Sequence, residues 1–378
     1  SYESHKGEMK DGGVILYDSD KLDVEEEGMV LGIPFDKLGR STGNVRAANM
    51  VMMGALAKLV GMSQDILEEF VRERWGNTAR YGDKVVPQNI HALSIGREAA
   101  AESGFSLGQL AEPSKPEYDQ IFLNGNQAIS LGASHAGLQF YAGYPISPAT
   151  SILVWMEDNL VGPGKFAYQV SSEIEAITSI IGAGYSGAKS MTATAGPGFS
   201  LMSEGLGLAW MAEIPCVIVD VQRGGPATGL PTKTEQSDLL NAVSPAHGDV
   251  FLPVIAPGTV EECFYATVDA FNWAERYQGP VVLLSEHALS EREQNIAKPD
   301  LSKVVVETRK VYNGEHGYHR YEGDELTPMP IPGKPGSYVA NASEHDGMGD
   351  TTHLPSRHVQ MTERRFSKLK LLENGSYE

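Results

Sequence analysis

The chain has 378 residues and a mass of 40.8 kDa, and its 41% hydrophobic and 21% charged residues are ordinary for a globular protein. That composition excludes a mainly disordered chain, a collagen and a disulfide scaffold, and at about 150 residues per domain it leaves room for two to three domains. The 49 acids against 30 bases give a net charge of -19, which disfavours general binding to nucleic acid or to an anionic membrane surface while leaving room for a local basic site. In chain order, residues 12–18 and 29–33 read as short strands. Helical spacing from Asn44 to Gly61 (Val45, Ala48, Met52, Ala55, Leu56, Leu59) predicts a helix stopped by Gly61. Ser63 then caps a helix with Ile66, Leu67, Phe70 and Val71 as its apolar face, and 90–103 reads as a third helix.

Residues 112–119, with two prolines and several charges, read as a linker after a first domain over 1–111. A strand at 120–124 leads into a helix near 128–137. Strands at 139–144, 190–195, 216–221, 251–255 and 280–284 then alternate with helices at 149–159, 172–189, 200–210 and 259–276. Strands alternating with helices, several of them continuously apolar, predict an α/β domain over 120–299 built on a doubly wound parallel sheet. Residues 300–378 lose periodicity and read as an extended arm; its basic end, Glu363–Leu372, is expected to begin a helix, and the arm is expected to lead to a further domain. The chain begins Ser1–Tyr2 without a methionine, so its true start is expected to lie upstream.

Cys216 and Cys263 are the two cysteines. A zinc site or iron–sulfur cluster generally takes four ligands, so this chain is not expected to hold one alone, and so few cysteines suit a reducing, cytoplasmic compartment. No run of about 18 apolar residues is present, so no membrane span is expected, and no signal peptide is visible.

The chemistry-bearing motifs lie where strands give way to helices, the crevice end of an open α/β sheet. Asn124–Gly132 occupies the place of a dinucleotide fingerprint but lacks G-x-G-x-x-G, which leaves a tight turn as the alternative. In Tyr144-Pro-Ile-Ser-Pro-Ala-Thr150, two prolines flank Ser147, whose hydroxyl suits either a bound carboxylate or carbonyl or a helix cap. Ser172 and Glu175 have capping-box spacing, which explains Glu175; Glu173 has no such explanation. It is either a desolvated carboxyl with a raised pKa or an acid favoured by the helix dipole. The Gly196–Pro197–Gly198 turn permits close approach of a flat ligand, or serves packing alone. Arg223 ends an apolar strand and suits fork-like binding of a carboxylate, or a surface ion pair. His247-Gly-Asp is a general acid or a turn. Taken together, Ser147, Glu173, Gly196–Gly198 and Arg223 suit one crevice holding a small 2-oxo acid and a flat cofactor.

At these motifs (GYPISPAT, SSEIEA, TATAGPGF, VQRGGPATGLPTKTEQSDL, HGD) the sequence resembles the α subunit of 2-oxoacid:ferredoxin oxidoreductases, and most closely the 2-oxoglutarate branch. The likeness extends over about Phe122–Gln294 and continues in IPGKPG, EHD and ERRFSKLK, while the N-terminal piece looks like part of a fused γ domain. The resemblance implies a thiamine pyrophosphate (TPP) enzyme that converts 2-oxoglutarate and coenzyme A to succinyl-CoA, or runs in reverse to fix CO2, with electrons exchanged with ferredoxin. By the same resemblance, Glu173 bonds the aminopyrimidine ring and drives ylide formation, with Tyr144, Pro145 and the Gly196–Pro197–Gly198 turn also at the cofactor. Arg223 and Ser147 meet the substrate, and Thr232 and Lys233 meet a distal carboxylate. The family's diphosphate–magnesium motif and cluster cysteines are absent, which implies Mg2+ and [4Fe–4S] on a partner β subunit, an α2β2 assembly and a chain inert alone. Pyruvate or a branched-chain 2-oxo acid is the alternative substrate, and a non-catalytic binding subunit is the alternative role. Part of the γ domain is expected to be missing, and the join at Ser4–His5 reads as a skipped segment.

Overall fold

The computed structural model describes residues 6–24, 29–76, 82–111, 114–314, 318–323 and 325–373; Glu112 and Pro113 of the linker, and the Ser4–His5 join, lie outside the described residues. The chain divides into two units between Lys115 and Pro116.

In the first unit, β1 (Val14–Asp18) and β2 (Met29–Ile33) pair in parallel, followed by α1 (Phe35–Ser41), α2 (Ala48–Leu59), α3 (Gln64–Gly76) and α4 (Gly82–Glu102). The stop of α2 is a Schellman turn: Gly61 takes φ +69°, its N–H donates to Lys58 O, and the Met62 N–H donates to Ala57 O. Its expected apolar face is only partly right. Val45, Met52 and Leu56 are exposed, while Met50, Val51, Gly54 and Ala57 join Ala55 and Leu59 in the core. The run ANMVMMGALAKL is apolar nearly all round, so spacing alone does not single out one face. On α3, Val71 is buried but Ile66 and Phe70 are exposed. The third expected helix starts earlier, at Gly82, with Pro87 inside its first turns.

In the second unit, six parallel strands run in the order β5 (Phe166–Gln169), β4 (Phe140–Gly143), β6 (Ser190–Thr194), β7 (Cys216–Gln222), β9 (Pro280–Glu286), β8 (Val254–Ile255). Central strands β6 and β7 are buried along their whole length, as expected for a sheet covered on both faces. Helices α5 (Gly125–His135), α6 (Thr150–Asn159), α7 (Glu173–Tyr185), α8 (Gly196–Leu201), α9 (Ser203–Met211), α10 (Leu239–Val243), α11 (Val260–Tyr277), α12 (His287–Glu291) and α13 (Pro355–Ser367) complete the unit. The expected strand at 120–124 is not part of this sheet: β3 (Gln120–Leu123) pairs antiparallel with β10 (Gln294–Ala297). The expected helix at 200–210 is two helices. The Met202 N–H bonds Phe199 O three residues back, which tightens the turn and redirects the chain. Edge strand β5 and the short helices α1, α10 and α12 carry too few residues for a periodic signal.

The segment from residue 300, expected as an extended arm, packs on the sheet unit. Tyr185 Oη donates to Tyr338 O at 2.9 Å, and the Arg309 guanidinium meets the Glu275 carboxylate at 2.9 Å. Its helix α13 begins at Pro355, eight residues before the basic stretch at Glu363.

Candidate active site

Asn124 caps α5 in a reciprocal capping box with Gln127, so the Asn124–Gly132 motif is the tight turn. Two residues on, Asn126 is buried, and its Nδ2 donates to Pro148 O at 2.9 Å and Ser151 Oγ at 2.8 Å. That amide fixes the loop after β4. Helix α6 starts from Ala149 without a side-chain cap, so Ser147 is no cap; its side chain is exposed on the loop.

Arg223 stands one residue beyond β7 and is 6% exposed. Its Nη1 donates to Ser147 O at 2.5 Å and its Nη2 to Thr228 O at 2.9 Å, while Nε is buried without a partner among the described residues. The guanidinium thus ties the Ser147 loop to the glycine-rich loop after β7 and is no surface ion pair.

Glu173 opens α7. Its neighbour Ser172 is the cap, accepting from the Glu175 N–H at 3.2 Å. The Glu175 carboxylate accepts from the N–H and hydroxyl of Ser171 at 2.7 and 2.6 Å, which holds its pKa below the usual carboxylate range. Glu173 itself is 6% exposed and makes no hydrogen bond through its carboxyl among the described residues. It lies against the start of α8. A Cβ on Gly198 would fall 2.1 Å from Thr194 Oγ1 and 2.6 Å from Glu173 Oε1, so only glycine brings this backbone onto the carboxyl.

Gly196, Pro197 and Arg223 line one cavity of about 690 Å3, together with Thr228, Glu235 and Asp238. The structure therefore unites Arg223 with the glycine turn directly, Glu173 through Gly198, and Ser147 through Arg223. It does not bring Thr232 and Lys233 into that cavity; both are exposed. Tyr144 is 38% exposed and, like Pro145, stands outside the lining. His247 and Asp249 line a separate cavity of about 320 Å3 with Glu344, His358 and Arg365. Sequence reasoning passed over Asn126, Asp220 and Asp238. The one available signal was an aspartate inside the apolar run of β7.

Among the described residues, no group of three or more His, Cys, Asp or Glu side chains is arranged to hold a metal ion. Cys216 and Cys263 are buried and unpaired, and burial pushes both thiols up to about 12. No helix is long and apolar enough to cross a membrane among the described residues.

Residues 131–364 match the model of the thiamine-diphosphate-binding domain of pyruvate flavodoxin/ferredoxin oxidoreductase, and residues 1–99 match a model of pyruvate ferredoxin/flavodoxin oxidoreductase. The chain is 38% identical over 250 residues to 2-oxoglutarate synthase subunit KorA of Methanocaldococcus jannaschii, covering 66% of this chain and 68% of that protein. It is 34% identical over 338 residues to 2-oxoglutarate oxidoreductase subunit KorA of Mycobacterium tuberculosis, covering 86% and 51%. The structure of 2-oxoglutarate:ferredoxin oxidoreductase from Magnetococcus marinus, with 2-oxoglutarate, coenzyme A and succinyl-CoA bound, superposes with a TM-score of 0.87 at 37% identity, covering 100% of this chain and 67% of that one. The chain spans about half to two thirds of the length of these relatives.

Proposed function

Because the chain belongs to the pyruvate flavodoxin/ferredoxin oxidoreductase family, we propose that it is the α subunit of a 2-oxoglutarate:ferredoxin oxidoreductase. The reaction is oxidative decarboxylation of 2-oxoglutarate to succinyl-CoA, or its reversal, with electrons exchanged with ferredoxin. The observation that carries this reading is a buried carboxyl without a hydrogen-bond partner among the described residues, Glu173, set against a glycine turn whose other end shares a cavity with the buried cation Arg223.

These residues fit the aminopyrimidine half of thiamine pyrophosphate: a free carboxyl to hydrogen-bond a ring nitrogen, beside a Gly198 cradle that a Cβ would fill. When bound, that cofactor supplies the electron sink that decarboxylation of a 2-oxo acid requires. Glu173 holds the ring and its proton. Arg223, fixed by two carbonyls, orients the substrate carboxylate, and the Ser147 hydroxyl stands on the same tied loop. We assign the Gly196–Pro197–Gly198 turn to the cofactor, and with it Tyr144 and Pro145, which stand outside the cavity lining. We assign the diphosphate, Mg2+ and [4Fe–4S] groups to a β subunit in an α2β2 assembly, with coenzyme A as co-substrate, in the cytoplasm.

Lys233 stands outside the Arg223 cavity, which favours a second reading: the same chemistry on pyruvate or a branched-chain 2-oxo acid. The test is the full-length chain co-expressed with its β partner and assayed anoxically by viologen reduction. Reduction with 2-oxoglutarate that depends on coenzyme A supports the first reading; reduction with pyruvate alone supports the second. None with any 2-oxo acid overturns both and leaves a binding subunit.

A further inference from the structure

Behind the Arg223 cavity lies a pair of acids that the catalytic reading does not use. Asp220, in the middle of β7, is 0% exposed, and neither of its carboxyl oxygens has a hydrogen-bond partner among the described residues. Its strand neighbours are Thr194 of β6 and Leu284 of β9, which supply no counter-charge. A carboxylate so placed is far costlier to bury than the neutral acid, so the site favours the neutral form of Asp220. Burial and the facing charge of Asp238 both raise its pKa.

Asp238 faces the cavity. Its N–H donates to Gln222 Oε1 at 3.0 Å, and Gln222 Nε2 in turn donates to Ser285 O at 3.1 Å, so the backbone is anchored to the sheet. Its carboxyl lies over Gly196, where a Cβ would fall 2.6 Å from Oδ2. Oδ1 accepts from the Ser237 hydroxyl at 3.2 Å, whereas Oδ2 is shut off from solvent and has no partner among the described residues. Burial, and after it the charge of Glu235, raise its pKa, against the Ser237 bond. The titratable and charged groups facing Asp238 are Asp220 and Arg223 from the β7 strand and its end, and Glu235 from its own loop; the α8 sequence GPGFSL contributes none.

An incoming carboxylate would meet Arg223 on one wall and the half-exposed Asp238 on another. Two anions in contact there cannot both stay ionised without a large penalty. We propose that Asp238 takes up one proton from solvent when a carboxylate ligand enters this cavity, and that its half-exposed carboxyl then donates a hydrogen bond to the ligand. This rests on the reading that the cavity takes the carboxylate of a 2-oxo acid. Asp238 is thereby a specificity residue: it makes binding of the anion proton-coupled, and burial favours the neutral form of Asp220 behind it.

The experiment uses the holoenzyme with its β subunit. Glutarate, a dicarboxylate without the reactive oxo group, is titrated calorimetrically in two buffers of different ionisation heat. Wild type is expected to take up about one proton per site. Asp238→Asn abolishes the uptake, and because its amide still donates, it loses less affinity than Asp238→Ala, which weakens binding about tenfold. In turnover, the wild-type KM for 2-oxoglutarate rises with pH towards about tenfold per unit, with a smaller change in kcat, and the Asn variant flattens that profile. No uptake in wild type with a flat KM, uptake that survives Asp238→Asn, or an Asn variant as weak as the Ala variant each overturns the proposal. A wild-type holoenzyme that neither binds glutarate nor turns over any 2-oxo acid overturns the functional reading, and the proposal falls with it.

Discussion

Arg223 reaches 76 positions back along the chain to take the carbonyl of Ser147 at 2.5 Å, and the same guanidinium holds Thr228 O at 2.9 Å. Two loops from neighbouring regions of the sheet are thus set by one cation before any ligand arrives. Arginine performs this because its planar fork offers several donors in fixed directions, and lysine offers a point charge.

Arg223→Lys should therefore hurt geometry as well as charge. Losing one charge-assisted bond to a carbonyl costs about 1.5–3 kcal/mol. The expected outcome is a fall in kcat/KM of about 10- to 100-fold, carried partly by KM, with a lowered melting temperature. An Arg223→Lys holoenzyme with wild-type kinetics would show that the cation does no positioning.

Glu173 and Glu175 sit two residues apart and should separate cleanly. Glu173→Gln is expected to lower kcat by about 100-fold or more, the scale of a lost proton-handling group, while equilibrium dialysis still finds thiamine pyrophosphate bound. Glu175→Gln weakens only the contact to Ser171 and should leave turnover near wild type. The reverse pattern would exchange the two roles.

Gly198→Ala places a methyl group 2.1 Å from the buried Thr194 hydroxyl. Overpacking of this kind costs about 1–3 kcal/mol. The expected result is a lower melting temperature together with displaced Glu173 and lost activity. Activity at the wild-type level would show that α8 can retreat without disturbing the carboxyl.

Motifs carried much of this site because they are local. SSEIEA holds both the cap and the free carboxyl, and an arginine ending an apolar strand marks the crevice end of a parallel sheet. What spacing could not reveal is long-range. The strand order, with β8 at an edge beyond β9, is decided by packing between segments far apart in the chain. Asn126 acts on Pro148 across 22 positions. Asp238 reads as one of several loop acids until the fold lays it over Gly196. The helix split at Met202 and the exposure of Met52 follow from tertiary contacts that no local period encodes.

The cluster around Glu213 was the least legible feature, since its partners lie more than 100 positions away, and it yields the last prediction. Glu213 is fully buried, with Arg364 Nε at 2.8 Å, Lys368 Nζ at 3.2 Å and Arg320 Nη1 at 3.6 Å. One carboxylate thus faces three buried cations, and their charge holds its pKa far below the usual carboxylate range against the opposing effect of burial. Burial pushes Lys368 down to about 7, although Glu213 opposes the shift. Removing the anion strands the cations: Glu213→Gln should destabilise by about 3–5 kcal/mol. Removing the weakest cation leaves two arginines on the carboxylate, so Lys368→Met should be neutral or stabilise by about 1–4 kcal/mol. The pH dependence follows from the same lysine. Between pH 7 and 10.5 the unfolded chain keeps a proton on Lys368 that the folded chain has released, so this residue makes stability rise with pH across that window. Denaturant melts of wild type and Lys368→Met from pH 6.5 to 10 test it. The wild-type curve should gain on the variant as pH increases, and two parallel curves would mean that Lys368 stays charged in the fold.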